Sequence, residues 1–170
     1  KGGDPFIFGR GGEELLVAAE HGLAVAVIPG ITAGMAAASY AGIPLTHRHI
    51  SQSVRFLTGH RVVDAENIGW AEWARDDQTL VIYMGLVSLP KIQKRLLAAG
   101  RADNTPAVLI ENATLASQRE IYATLKTLPD RVSAAEITGP SVIIVGEVVD
   151  VPQQAEKARI AAKDAQQVPL

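Results

Sequence analysis

The segment Lys1-Gly-Gly-Asp-Pro-Phe-Ile-Phe-Gly-Arg-Gly-Gly-Glu-Glu14 concentrates residue types that let a main chain meet a ligand. Gly2 and Gly3 carry no side chain, so a bound molecule can touch their backbone, and Asp4 supplies an acceptor for a ligand hydroxyl or amine. The same Gly2-Gly3-Asp4-Pro5 also makes an ordinary surface turn, because Gly, Asp and Pro are turn formers. Pro29-Gly30-Ile31-Thr32-Ala33 is a second such place. There the N–H groups that open a helix from Thr32 point at whatever sits above the preceding strand end, the crevice in which open α/β sheets bind ligands. Tyr83-Met84-Gly85 and Glu111-Asn112-Ala113-Thr114 end two apolar runs with small or polar groups. Met84 is either core filler or a surface for a flat ring, with Gly85 keeping the approach open.

Other chemistries are excluded by spacing. Gly9-Arg10-Gly11-Gly12-Glu13-Glu14 is not a dinucleotide fingerprint, since Glu14 stands at the third glycine position and no clear strand precedes Gly9. No Walker A loop and no Gly-x-Ser-x-Gly elbow occurs. His47 and His49 lie two apart without further ligands at suitable spacing, so no metal is expected. His21, near a helix end, reads as structural.

The elements that must position these residues follow from the pattern. With 170 residues, 48% of them apolar, and short polar breaks between apolar runs, the composition is that of a globular α/β protein. There is no cysteine, which removes disulfides and thiolate metal sites and is compatible with a reducing, cytoplasmic location. The formal charge is −2 with no Lys/Arg block, so sequence-independent nucleic-acid binding is not expected. No apolar run reaches the roughly 20 residues that span a bilayer, so no membrane partner is expected either.

Helices are expected over Gly11–His21, from Thr32 as N-cap to Tyr40, around Ile68–Ala74, over Leu89–Ala99 and over Asp130–Glu136. Strands are expected over Val25–Ile28, Val54–Thr58, Thr79–Met84, Ala107–Glu111, Arg119–Thr124 and Ser141–Val149. A boundary falls between Gly42 and Ser53. Beyond it a mixed five-stranded sheet covered by helices is expected. Trp70 and Trp73 pack one helix onto that sheet, and Lys91, Lys94 and Arg95 form a solvated helix face. The Ala-, Gln- and Lys-rich end from Pro152 to Leu170 reads as a poorly packed tail.

KGGDPFIFGRGGEE, VIPGITA, AGIPLTHR, TLVIYMGL, ENAT and SVIIVGEVV, in this order, closely resemble the uroporphyrinogen-III C-methyltransferases of the tetrapyrrole methylase superfamily, which includes the methylase module of siroheme synthase. The resemblance covers about Lys1 to Asp150. It implies two α/β subdomains with the cofactor in the cleft between them: 1–48 as the later part of the first subdomain, only partly present, 49–150 as the second, and 151–170 as a tail. It implies transfer of two methyl groups from S-adenosylmethionine to uroporphyrinogen III, giving precorrin-2 for siroheme and corrinoid synthesis, by a homodimer, with S-adenosylhomocysteine as the spent cofactor. It assigns Gly2, Gly3, Asp4, Ile7, Thr32, Ala33, Met84 and Ala113 to the cofactor, with Pro140 and Ser141 near its adenosine. Because the substrate carries eight carboxylates, Arg10, Arg48 and Arg55 are the substrate-binding candidates.

The resemblance also implies a stretch ahead of Lys1, with a Gly-Pro-Gly-Asp loop and, in siroheme synthases, an acidic residue and a lysine assigned to proton transfer. On that expectation the catalytic residues have no number in this sequence. Two alternatives stand beside this reading: a methyltransferase acting on a later precorrin, and a truncated, non-catalytic adenosylmethionine- or tetrapyrrole-binding module.

Overall fold

Uninterrupted apolar runs become the buried centre of one sheet. The computed structural model describes residues 2–60 and 69–166. Its strands are β1 (Ser53–Thr58), β2 (Gln78–Tyr83), β3 (Pro106–Glu111), β4 (Arg119–Thr124) and β5 (Ser141–Val145), in the order β1-β2-β5-β3-β4. The β1–β2 pair is parallel and the other three pairs are antiparallel. β2, and β3 and β5 beyond their first residues, are buried throughout, as expected of strands covered on both faces.

The two-residue alternation of these strands divides the core. Leu80, Ile82, Leu109, Ile143 and Val145 face one side, where Leu89, Ile92 and Leu96 of α4 (Leu89–Ala98) and Leu128 and Val132 of α5 (Leu128–Ala134) cover them. Val81, Tyr83, Val108, Ile110 and Ile144 face the other side, against Ala37 and Ala38 of α2 (Ala33–Tyr40). Each such Leu, Ile or Val contributes roughly 1.5–3 kcal/mol by leaving water. Helix α4 shows the sequence logic plainly: 89, 92 and 96 are buried, Lys91, Lys94 and Arg95 exposed, and Gly100 follows the end at φ 99°. Trp70 and Trp73, on the short α3 (Trp70–Trp73), meet edge to face at 4.9 Å and pack partly buried against the first face.

The structure corrects two expectations, residues 25–28 and the length of the final strand. Residues 25–28 form no strand among the described residues: Val25, Val27 and Ile28 are exposed, Ile28 by 82%, and no ladder partner lies beside them. The expected helix start at Ile68 lies outside the described residues, and the helix seen begins at Trp70. The long final strand stops at Val145, because Gly146 turns to φ 148° and leads into a 3-10 turn, Glu147–Asp150. The tail is poorly packed as expected, residues 153–163 being all exposed, yet it is a regular helix, α6 (Val151–Gln166), because Ala, Gln and Lys are good helix formers.

Helix α1 (Gly11–Glu20) buries only Gly11, so Leu15, Leu16 and Val17 join Phe6, Val25, Val27 and Ile28 in a broad exposed apolar surface. Surfaces of this kind mark places where further chain or a partner packs. No helix among the described residues is long and apolar enough to cross a membrane.

Candidate functional site

Tyr83, the last residue of β2, joins the N-terminal segment to the sheet. Its hydroxyl lies 2.7 Å from the Thr32 hydroxyl and accepts the Gly34 backbone N–H at 2.8 Å, both in buried surroundings. Because the Gly34 N–H uses a phenol lone pair, the phenol proton is available to Thr32 Oγ1. Thr32 occupies the N-cap position of α2, and its carbonyl accepts from Met35 and Ala36. Its side chain makes no capping bond, which corrects the simple capping role expected: Tyr83, reaching from the sheet, takes the N–H that an N-cap side chain ordinarily would. The close approach requires glycine at 34, where a Cβ would sit 2.6 Å from both the Tyr83 hydroxyl and Val81 Cγ1. Phe8 packs on the Tyr83 ring at 4.9 Å.

Asp4 organises the glycine turn. Its Oδ1 accepts the Phe6 N–H at 2.9 Å and its Oδ2 the Gly30 N–H at 3.2 Å, clamping the first loop to the one before α2. These two N–H groups, Phe6 foremost, hold its carboxyl below the usual value. Gly3 then lies against the backbone of Ile31, Thr32 and Ala33.

Beside this junction is a cavity of about 560 Å³. Ala33 lines it from the start of α2, Tyr83 and Met84 from the end of β2, Asn112 and Ala113 from the end of β3, and Pro140 and Ser141 from the entry to β5. The strand order brings these together: β2 and β3 leave the sheet at the edge where β5, antiparallel to both, enters it. Three non-glycine residues at the strand ends hold left-handed backbone, Met84 at φ 51°, Asn112 at 49° and Thr114 at 71°. Such conformations are costly, above all for β-branched Thr114, and they cluster where a binding site re-aims the main chain. A side-chain series steadies the β3 end: the Thr114 N–H donates to Gln118 Oε1, the Gln118 amide to Glu120, and the Tyr122 hydroxyl to the same carboxylate.

Glu111, 1% exposed, closes β3 under this loop. Its Oε1 accepts the N–H groups of Thr138 at 2.9 Å and Gly139 at 2.6 Å, and its Oε2 accepts Arg119 Nε at 2.6 Å. The Gly139 N–H first, then Arg119 and Thr138, hold its carboxyl below the usual range against the opposing effect of burial.

Of the residues expected from sequence, Ala33, Met84, Ala113, Pro140 and Ser141 share this cavity. Thr32 is buried against Tyr83, and Gly3 lies beside the loop that begins α2. Gly2 and Ile7 are exposed on the first loop. Arg10, Arg48 and Arg55 do not line it: Arg10 pairs with Glu13 at 3.2 Å beside a groove on α1, Arg48 is exposed, and Arg55 is 3.5 Å from Glu72. His47 and His49 are exposed, and no group of three metal-binding side chains occurs among the described residues. Sequence reasoning gave no role to Tyr83 or Glu111. Both carry a polar group at the end of an otherwise apolar run, and such a buried group needs partners, which is the signal that marks them.

Fold and site define an α/β protein with a cavity at the edge of a mixed sheet, beside an N-terminal segment latched to it. The model of the Tetrapyrrole (Corrin/Porphyrin) Methylases matches residues 1–129, and the chain belongs to that family. Siroheme synthase of Azotobacter vinelandii is 54% identical over 149 residues, 88% of this chain and 32% of that protein. Siroheme synthase of Pseudomonas aeruginosa is 50% identical over 165 residues, 97% of this chain and 36% of that protein. The chain thus spans about a third of the length of these curated relatives. Uroporphyrin-III C-methyl transferase from Thermus thermophilus, complexed with S-adenyl homocysteine, superposes with a TM-score of 0.73 at 36% identity, over 89% of this chain and 65% of that one. A cobalt precorrin-4 methyltransferase superposes with a TM-score of 0.79 at 26% identity, over 87% and 62%.

Proposed function

We propose that this chain forms the S-adenosylmethionine-binding part of a uroporphyrinogen-III C-methyltransferase, which methylates its substrate twice to give precorrin-2 for siroheme and cobalamin synthesis. The observation that carries the reading is the cavity in which Ala33, Met84, Ala113, Pro140 and Ser141 converge from four separate stretches of chain. The identity with a methyltransferase that holds S-adenyl homocysteine supports it.

The cavity fits the group. Its volume, about 560 Å³, is that of a small-molecule site, and its walls are mainly apolar with a few polar main-chain and amide groups. When bound, S-adenosylmethionine supplies a methyl group on a positively charged sulfur. This chain's part is to hold donor and acceptor in line, since alignment supplies much of the catalysis in a displacement. Met84 and Ala113 form the sheet-side wall and Pro140 and Ser141 the adenosine side. Ala33 lines the cavity from the start of α2, and Gly2, Gly3, Asp4, Ile7 and Thr32 stand on the adjoining loops, tied together by the Asp4 clamp and the Tyr83 latch, from which they would reach the cofactor. Arg10, Arg48 and Arg55 receive the carboxylates of uroporphyrinogen III, outside the cofactor cavity. The subdomain division at residues 48/49 agrees with the start of β1 at Ser53, and the exposed apolar surface suits a homodimer contact or further chain. A cytoplasmic location accompanies this reading.

Calorimetric titration with S-adenosylhomocysteine tests it. Micromolar binding supports the cofactor assignment, and no binding by the folded protein overturns it. A second reading, methylation of a later precorrin, draws on the TM-score of 0.79 with the cobalt precorrin-4 enzyme, against which stands that enzyme's lower identity, 26% beside 36%. Turnover of uroporphyrinogen III against a later precorrin separates the two.

A further inference from the structure

We propose that Glu111 is a positioning residue of the ligand cavity, its carboxylate fixing the backbone of Thr138 and Gly139 so that Gly139, Pro140 and Ser141 form the wall beside Asn112 and Ala113. The two N–H groups it accepts belong to the segment that becomes this wall. A third tie runs the other way, from the Asn112 N–H to the Pro140 carbonyl at 2.9 Å. The β3–β5 ladder, which pairs Glu111 with Ser141, brings the two stretches together, and beyond its end the Glu111 side chain and this backbone bond hold residues 138–140 in place. Gly139 lies so close beneath Asn112 that a Cβ there would be 2.3 Å from Asn112 Oδ1, so a small shift of the segment changes the cavity directly.

The position demands a carboxylate. Both oxygens receive only donors, two backbone N–H groups on Oε1 and Arg119 on Oε2. An amide of the same shape must turn its NH₂ toward one of these donor sets and leave it unpaired. Aspartate keeps the charge but, one methylene shorter, cannot span from Arg119 to Gly139. Arg119, half exposed, also donates to the Ala135 carbonyl at 3.3 Å and so braces the end of α5 before the wall begins.

The affinity part of this inference rests on the nucleoside ligand proposed above, and the test separates the two. The parent, Glu111→Gln, Glu111→Asp and Leu96→Ala are compared by titration with S-adenosylhomocysteine and by amide exchange followed by NMR. Leu96 is buried in α4 and lines no part of the cavity, so its truncation lowers stability without touching the wall. Glu111→Gln is expected to weaken binding about tenfold or more, as the loss of a charge-assisted hydrogen bond implies. It is also expected to lower exchange protection at Thr138 and Gly139 while the β2 and β5 amides keep theirs. Glu111→Asp falls between parent and Gln, and Leu96→Ala binds within about twofold of the parent. A folded Glu111→Gln protein that keeps either parental affinity or parental protection at both amides overturns the proposal. If the parent itself does not bind, the functional reading fails, and the exchange result alone decides the role of Glu111.

Discussion

Replacing Tyr83 by Phe removes one oxygen and leaves the ring, so it isolates the latch. The contacts of the ring with Phe8 at 4.9 Å and Phe56 at 6.1 Å are available to phenylalanine as well. What is lost is the acceptor of the Gly34 N–H and the partner of the Thr32 hydroxyl, each buried. Gly34 stands in the first turn of α2, where no intrahelical carbonyl can replace the phenol. Stranding that N–H costs roughly 1–3 kcal/mol, and loss of the hydroxyl–hydroxyl bond about 0.5–1.5 kcal/mol more. A total of about 2–4 kcal/mol corresponds to a fall in Tm of roughly 4–16 °C for a chain of this size. Urea denaturation followed by circular dichroism measures it, in a double-mutant cycle with Thr32→Val. The two changes share one bond, so their costs should fall short of additivity by at least about 0.5 kcal/mol. A Tyr83→Phe cost below about 0.5 kcal/mol, or strict additivity, refutes the latch.

Three further outcomes follow from the same geometry. Thr114→Gly, at an exposed position with φ 71°, keeps the backbone N–H that Gln118 accepts and relieves left-handed strain, so the urea midpoint should rise by the equivalent of about 1 kcal/mol. Arg10→Ala should change stability by less than about 0.5 kcal/mol, because its pair with Glu13 is exposed, and should raise the KM for uroporphyrinogen III far more than the Kd for the cofactor; equal effects refute a substrate role. The carboxyls of Glu111 and Asp4 are held below their ordinary values of 4.5 and 3.8, so the stability they contribute is complete above those values and is lost as pH falls through the lowered ones. Urea midpoints of the parent should therefore drop steeply below about pH 4, and less steeply in Glu111→Gln.

The strands at the centre of the sheet were legible because burial on both faces leaves continuous apolar runs, as in Leu80–Tyr83 and Val142–Val145. Residues 25–28 carry the same local signal, yet a strand needs a partner as well as a propensity, and none lies beside them among the described residues. The cap at Thr32 was misjudged for a related reason: its hydroxyl is taken by a residue 51 positions away, which no local pattern reveals. Helix α6 shows the opposite case, since composition favours helix whether or not the helix packs. Met84, Ala113, Pro140 and Ser141 could each be placed at a strand end from sequence, and the family resemblance assembled them into a site. Their convergence on one edge depends on β5 lying between β2 and β3, which periodicity does not encode. Glu111 was visible as an acid ending an apolar run, but its partners come from a segment 27 and 28 residues later.

The position of β5 also orders events during synthesis. Of the five described strands, the one made last is the middle of the sheet, so β2 and the β3–β4 hairpin have no common neighbour until residues 141–145 leave the ribosome. At roughly 5–20 residues per second, the stretch from Glu111 to Val145 takes on the order of 2–7 s to make. During that interval two long apolar edges stand open to wrong pairing. The cavity, whose walls need β2, β3 and the entry to β5 at once, is consequently among the last of these parts to form. A ribosome stalled before Ser141 should hold a nascent chain that lacks β5, α6 and a complete cavity, and that depends on chaperones to stay unaggregated.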